Sequence, residues 1–253
     1  MSMTPLLKNI PTPFLLLASD EAGRGPLAGP VVACTVGFLI KSAQNLRAWE
    51  KKLQDLGVRD SKQCHTLQRQ KSLESLGINY CVSSEKSFQQ ATTSVGSFFV
   101  SALAKSAAEI DQLNILKASL LAMGESGLEI ARLESELFHV LWLIDGPFTP
   151  LWGSFTKPQR CREIGGITFQ DDEYKKVFHL LPLIKGDQRS AFIALASLMA
   201  KEMRDFQMSQ WHERFPQYGF AKNQGYPTQA HREALKKWGP SPAHRLSYSL
   251  FGE

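Results

Sequence analysis

The chain has 253 residues, 43% hydrophobic and 21% charged, and carries a net charge of +5. That balance is ordinary for a soluble globular protein and suits one large domain, or one domain with an appendage. The charge permits a polyanionic partner without proving one, and no apolar run reaches the ~20 residues that a membrane helix needs.

Residues 1–12 read as a loose N-terminal arm. Phe14–Ser19 reads as the first core strand, since acids follow its short apolar run where a signal peptide would carry a small-residue cleavage site. Val31–Ile40 is a second strand, rich in β-formers. Leu46–Leu56 and Leu67–Leu76 read as short helices, and Asn79–Ser83 as a third strand. Across Phe98–Met123, apolar residues recur at helical spacing, with Ser97 as a cap and Gly124 near the end. Asp111 is a candidate interruption. Leu137–Ile144 is a strongly apolar strand that delivers Asp145 at its tip. Residues 146–178 form a long excursion with a hairpin expected around Gly165-Gly166. Leu180–Ile184 is a buried strand leading into Lys185-Gly186-Asp187. A long helix starts near Ser190 and breaks at Phe215-Pro216. Thr228 caps a last helix, Gln229–Trp238, which Gly239-Pro240 ends. The four cysteines show no Cys-x-x-Cys pair and no zinc spacing. They read as reduced thiols, so a cytoplasmic location is expected. The whole is an α/β pattern: a mixed central β-sheet flanked by helices.

The chemistry concentrates in Asp20-Glu21-Ala22-Gly23-Arg24-Gly25-Pro26. Two carboxylates end an apolar strand and a Gly-Arg-Gly turn follows at once. Asp145 and Asp187 stand at later strand tips. Acids gathered at one edge of a sheet make an oxygen site for Mg²⁺ or Mn²⁺, and a cation relieves their mutual repulsion. Adjacent strand residues point to opposite faces, so Asp20 and Glu21 share one site only if the chain bends at Glu21. The glycines allow close backbone approach to a ligand. Arg24 between them suits a phosphate, and the turn suits the 2′-hydroxyl in an RNA minor groove. Tyr226 is held between Gly225 and Pro227, a pose suited to stacking on a sugar or base. Lys222, Arg232, Lys236, Lys237, His244 and Arg245 make this region basic. Lys62, in Asp60-Ser61-Lys62, is a further candidate phosphate contact. Asp205 reads as a salt-bridge partner of Arg204 or a neighbour. Each acid taken singly is also readable as a turn former or cap, and Tyr226 as a packed residue.

With these residues the chain resembles the bacterial ribonuclease HII family, from about Phe14 to Tyr248. The resemblance rests on Asp20 through Val32, Asp60-Ser61-Lys62, Ile144-Asp145-Gly146 and Ile184-Lys185-Gly186-Asp187. It continues through Ala196-Ser197, Ala200-Lys201, Arg204-Asp205, Tyr218 through Asn223, Gly225-Tyr226 and Gly239 through Arg245. It implies an RNase H-like fold over residues 13–210 with a helical C-terminal, substrate-binding extension over 211–253. The implied enzyme cuts the RNA strand of RNA–DNA hybrids. It also cuts on the 5′ side of single ribonucleotides embedded in duplex DNA, leaving 5′-phosphate and 3′-hydroxyl ends. By the same resemblance, Asp20, Glu21, Asp145 and Asp187 are the catalytic, metal-binding acids. Gly23, Arg24 and Gly25 read the 2′-hydroxyl, and Tyr226 senses the junction.

The implied cofactors are Mn²⁺ or Mg²⁺, two ions with substrate bound. The expected form is a monomer that meets no membrane. Two features depart from the family: the segment between Asp145 and Asp187 is longer than usual, and Pro227 stands where glycine is common. Gly-Arg-Gly argues against the sister ribonuclease HIII family. The alternatives at this point are a DNA-specific nuclease or strand-transfer enzyme of the same fold, and a non-catalytic binding protein.

Overall fold

Leu15, Leu16, Leu17 and Ala18 are all fully buried, which requires cover on both faces of the strand that carries them. The computed structural model describes residues 10–58, 66–81, 85–134, 136–153, 156–160 and 166–251. Among these, strands β1 (Phe14–Ala22), β2 (Val31–Ile40), β3 (Lys86–Thr93), β4 (Gly96–Lys105), β5 (His139–Asp145), β6 (Ile167–Asp171) and β7 (Lys176–Leu183) form one sheet. Their order is β3-β4-β2-β1-β5-β7-β6. β1 runs antiparallel to β2 and parallel to β5, and β5 runs parallel to β7.

Helices cover both faces. On one side lie α1 (Ala43–Asp55), α2 (Thr66–Ser75) and the long α6 (Ala191–Arg214), and Leu16, Ala18, Trp49 and Phe192 share their core. The helix starts where expected, and Ser190 caps α6 through its side chain. On the other side lie α3 (Ala107–Leu113) and α4 (Ile115–Leu133), with Leu15, Leu17, Trp142 and Phe178 beneath α4. Short α5 (Gly186–Arg189) follows β7. After α6 come a 3₁₀ turn (Pro216–Tyr218), α7 (Phe220–Asn223) and α8 (Gln229–Trp238). They pack Tyr218, Phe220 and Leu235 against Leu27 and Ala28 of the β1–β2 connection.

Several expected elements differ. Residues 98–123 are not one helix: β4 ends at Lys105 and two helices follow. Even-numbered residues of β4, from Phe98 to Ala104, are buried, a period-two pattern that the helical spacing of the larger residues concealed. Ser106 and Glu109 form a capping box, and the break falls at Asn114, not at Asp111. Gly124 lies inside α4, where a side chain would collide with the Leu151 carbonyl. Asn79–Cys81 is not a strand; the rest of that expected strand lies outside the described residues. The strand is β3, a polar edge strand whose pattern gives little apolar signal. The hairpin within 146–178 is real but turns between β6 and β7, where Lys175 takes a positive φ of 51°.

A chain of buried hydroxyls ties the sheet to α4. Trp142 Nε1 donates to Ser19 Oγ at 2.7 Å, Ser19 lies 2.6 Å from Thr35, and Thr35 lies 2.7 Å from Ser126. Ser126 Oγ donates to the Met123 carbonyl at 3.0 Å, so every hydroxyl both gives and receives. Thr35→Val removes the middle link without changing shape and is expected to cost about 1–3 kcal/mol. Urea unfolding measures it, and an unchanged midpoint would show that the chain contributes nothing.

Candidate active site

Because β1, β5 and β7 are parallel neighbours, their C-terminal ends lie on the same edge of the sheet. β1 brings Asp20 and Glu21 there, β5 ends at Asp145, and Asp187 sits in the first turn of α5 just beyond β7. Ser19 pairs with Ile144, so the next residues, Asp20 and Asp145, leave adjacent strands side by side. Asp20 is buried, and its Oδ1 accepts the Glu21 N–H at 2.7 Å. Burial holds its carboxyl well above the usual range. The charges of Glu21 and Asp145 push the same way, while the Ser197 hydroxyl and the Glu21 N–H oppose them. Asp145 Oδ1 accepts the Gly186 N–H at 2.6 Å. A side chain at Gly186 would press on Ile193 at 2.6 Å and on that oxygen at 3.1 Å, so the close approach requires glycine.

The backbone does not leave the sheet at Glu21. β1 stays in register with β2 through Ala22, opposite Val32. The Glu21 carboxylate nonetheless lies near enough to Asp20 for its charge to oppose the ionisation of Asp20. Its Oε1 receives Arg24 Nη1 at 3.3 Å. Among the described residues, no three His, Cys, Asp or Glu side chains stand so as to hold a metal ion as they are placed. The donor chemistry nonetheless fits a hard divalent cation. The acids offer only oxygen, and the repulsion on Asp20 from Glu21 and Asp145 is the kind that a bound cation relieves.

The turn after β1 is held from behind by two buried arginines. Arg204 of α6 donates from Nε to the Pro30 carbonyl at 3.1 Å and from Nη2 to Ala28 at 3.3 Å and Gln224 at 2.9 Å. Arg245 donates to the carbonyls of Gly29 (3.0 Å), Arg24 (3.1 Å), Gly23 (2.6 Å) and Pro30 (3.2 Å). Among the described residues neither guanidinium has a carboxylate at ion-pair distance. Burial, and then the charge of Arg245, lowers Arg204 to about 10. Gly23 has φ +97°, and a side chain there would strike the Arg204 guanidinium, so glycine is required twice over. The carbonyls of Gly23 and Arg24 point into the protein to meet Arg245. The Arg24 side chain itself remains substantially exposed.

Tyr226 lies across this turn. A side chain at Gly25 would come within 3.7 Å of its Cε1, and the ring is 48% exposed. Its backbone is fixed: Tyr226 N–H donates to Asn223 at 2.8 Å, and Leu27 N–H donates to Gly225 at 2.8 Å. Gly225 has no room for a side chain against the Ala28 carbonyl. The structure thus brings Gly23, Arg24, Gly25 and Tyr226 together and places Asp20, Glu21, Asp145 and Asp187 along one edge. Lys62 lies outside the described residues.

His244 and Arg245, expected within a basic surface, are both buried. Lys222, Lys236 and Lys237 are exposed, as expected of such a surface. Asp205 pairs with Lys201 at 2.6 Å and not with Arg204. The clamping role of Arg204 had no local signal beyond its position four residues after Ala200 on an apolar helix face.

Comparison with known proteins gives a consistent picture. The model of the ribonuclease HII family matches residues 17–141 and 162–251. The gap takes in Asp145 and the start of the long segment after β5. Ribonuclease HII of Synechococcus sp. (strain JA-3-3Ab) is 37% identical over 230 residues, covering 91% of this chain and 79% of that protein. Among solved structures, the PCNA:RNase HII complex from Archaeoglobus fulgidus superposes with a TM-score of 0.59 at 21% identity, over 93% of this chain and 95% of that one. Bst-RNase HIII in complex with Mn²⁺ gives 0.57 at 14% identity, over 94% and 68%. At these identities the two structures show a shared fold, the ribonuclease H-like one.

The arginine clamp yields a stability prediction. Arg245→Lys leaves one ammonium where a guanidinium met four carbonyls, and at least one buried acceptor loses its donor. The expected loss is about 2–4 kcal/mol in urea unfolding. Arg24→Lys, on the exposed side, serves as control and is expected to lose less than ~1 kcal/mol. Equal effects at the two positions would remove the clamp from the account.

Proposed function

Since the chain belongs to the ribonuclease HII family, and is therefore a hydrolase of the ribonuclease H type, we propose that it cuts at ribonucleotides within duplexes through the acidic edge beside its Gly-Arg-Gly turn. The substrates are the RNA strand of RNA–DNA hybrids and single ribonucleotides embedded in DNA, cut on their 5′ side. The products carry 5′-phosphate and 3′-hydroxyl ends.

The observation that carries this reading is that Asp20 and Asp145 follow the last paired residues, Ser19 and Ile144, of adjacent parallel strands, with Asp20 three residues before a turn that Arg245 holds. Asp20, Glu21, Asp145 and Asp187 are the residues that would hold divalent metal, Mg²⁺ or Mn²⁺. When bound, the metal supplies Lewis-acid stabilisation of the attacking and leaving oxygens of a phosphodiester. The chain's own groups do the rest. The clamped turn presents its peptide groups to a 2′-hydroxyl, which both donates and accepts. Arg24 meets a neighbouring phosphate. The exposed ring of Tyr226 stacks on the sugar or base at the junction, beside Gly25. Clamping costs little reorganisation when substrate arrives, because the carbonyls that hold the turn are already engaged. Lys62 adds a phosphate contact. The chain works as a monomer. Cys34 and Cys81 are both free, which suits the reducing cytoplasm as its place of action.

Asp20→Asn and Asp145→Asn are each expected to abolish cleavage of a single-ribonucleotide duplex while duplex binding persists in a gel-shift assay. Wild-type rates in either variant would refute the assignment of these acids. Tyr226→Ala is expected to weaken transition-state binding on that duplex by roughly 1–3 kcal/mol. Steady-state kinetics decide it, and unchanged kcat/KM would return Tyr226 to a packing role.

A further inference from the structure

Behind Tyr226 lie two histidines, His231 of α8 and His244, both buried. The Ser241 N–H donates to His244 Nδ1 at 2.9 Å, so that nitrogen carries no proton. In the neutral ring the proton then sits on Nε2, which faces His231 Nε2 at 3.0 Å. His231 Nδ1 lies 2.8 Å from the Tyr226 carbonyl, an acceptor only, so Nδ1 carries the proton of His231. His231 Nε2 is therefore bare and accepts from His244. Each end of the chain independently fixes one ring, and the two assignments agree in the middle. Hydrogen bonds run in one direction from Ser241 through His244 and His231 to Tyr226.

The chain ends on the backbone of Tyr226 and its neighbour Gly225. The Tyr226 carbonyl receives His231 Nδ1–H and the Thr228 N–H, both at 2.8 Å. The ring of the same residue stands half-exposed over Gly25. Two donors on one carbonyl fix the peptide plane between Tyr226 and Pro227, and Pro227 removes the backbone donor on the other side. Resting on the reading of Tyr226 given above, we propose that His231 and His244 are positioning residues, which act as a proton-ordered relay to hold the Tyr226 peptide and so aim its ring at the junction.

The surroundings keep the pair neutral. Tyr218 packs edge-on to His244 with ring centroids 4.8 Å apart, its hydroxyl committed to the Gly239 carbonyl at 2.7 Å. Phe220 flanks both rings. Burial lowers His231, and Arg232 next to it adds a like charge that further disfavours protonation. Burial, and then the neighbouring His231, lower His244 from 6.5 to about 4. Because the folded value is depressed, the relay's contribution is complete above the ordinary histidine value of 6.5. It is lost as pH falls from there towards about 4.

The test begins with the wild-type protein, labelled with ¹⁵N-histidine, by NMR. His231 is expected as the Nδ1–H tautomer and His244 as the Nε2–H tautomer, both neutral at pH 5.5. Finding His231 protonated at Nε2, or both rings titrating near their ordinary value, would overturn the relay. This arm does not depend on nuclease activity.

The second arm uses kinetics on a single-ribonucleotide duplex. His231→Leu is expected to lower kcat/KM roughly fivefold, the worth of one net hydrogen bond. His231→Asn, which keeps a donor at the Nδ1 position, is expected to restore most of that loss. In a Tyr226→Ala background, His231→Leu is expected to cost nothing further. Equal losses with and without the tyrosine ring would show a merely structural role and overturn the proposal. If Tyr226→Ala alone leaves kcat/KM unchanged, the stacking role of Tyr226 fails, and with it the aiming function. The tautomers then still report whether the relay exists.

Discussion

Two buried guanidiniums, neither with a carboxylate at ion-pair distance among the described residues, set the central constraint. Arg204 and Arg245 come from α6 and from the segment after Pro242, more than 170 residues beyond the turn they grip. A buried guanidinium is costly unless its donors are satisfied. Here the satisfaction comes from backbone carbonyls of Gly23, Arg24, Ala28, Gly29, Pro30 and Gln224. The turn cannot relax without stranding both charges. Helix α6, the C-terminal segment and the β1–β2 connection therefore behave as one unit. The exposed peptide groups of Gly23-Arg24-Gly25 inherit that rigidity.

Close to this cationic clamp lies the opposite problem. Asp20 is buried at the end of β1, and nearby Glu21 and Asp145 resist its ionisation. Carboxyl repulsion on one side and guanidinium repulsion on the other are resolved differently. The arginines are solvated permanently by carbonyl dipoles. Asp20 stays in a field of like charge, which suits a site that holds a cation. Rigid backbone beside a buried acid whose ionisation its neighbours oppose suits phosphodiester chemistry on a recognised sugar, since positioning and charge stabilisation supply most of the rate.

Local signals made part of this legible. The apolar runs of β1 and β2, the helix start near Ser190, the Thr228 cap and the Gly239 stop are written in a few adjacent residues each, and the elements follow them. Strand-tip acids were legible for the same reason. That Asp20 and Asp145 stand side by side depends on the parallel pairing of β1 with β5, which no local pattern encodes. In β4 and α4, two patterns overlapped: residues 98–104 alternate by two, yet their larger side chains fall at helical spacing with those that follow. β3 is polar because it lies at the sheet edge, so it offered little apolar alternation to read. The arginines and histidines of the C-terminal segment looked like a solvated basic face. Only long-range packing shows that Arg245 and His244 are enclosed while their lysine neighbours are not.

The most direct measurement maps the cleavage of an end-labelled DNA duplex carrying one ribonucleotide, beside an all-DNA duplex of the same sequence, with and without Mg²⁺ or Mn²⁺. The account predicts one cut, immediately 5′ of the ribonucleotide, only when a divalent ion is present, and none in the all-DNA duplex. Equal cutting of both duplexes, or cutting that persists in a chelator, would contradict it.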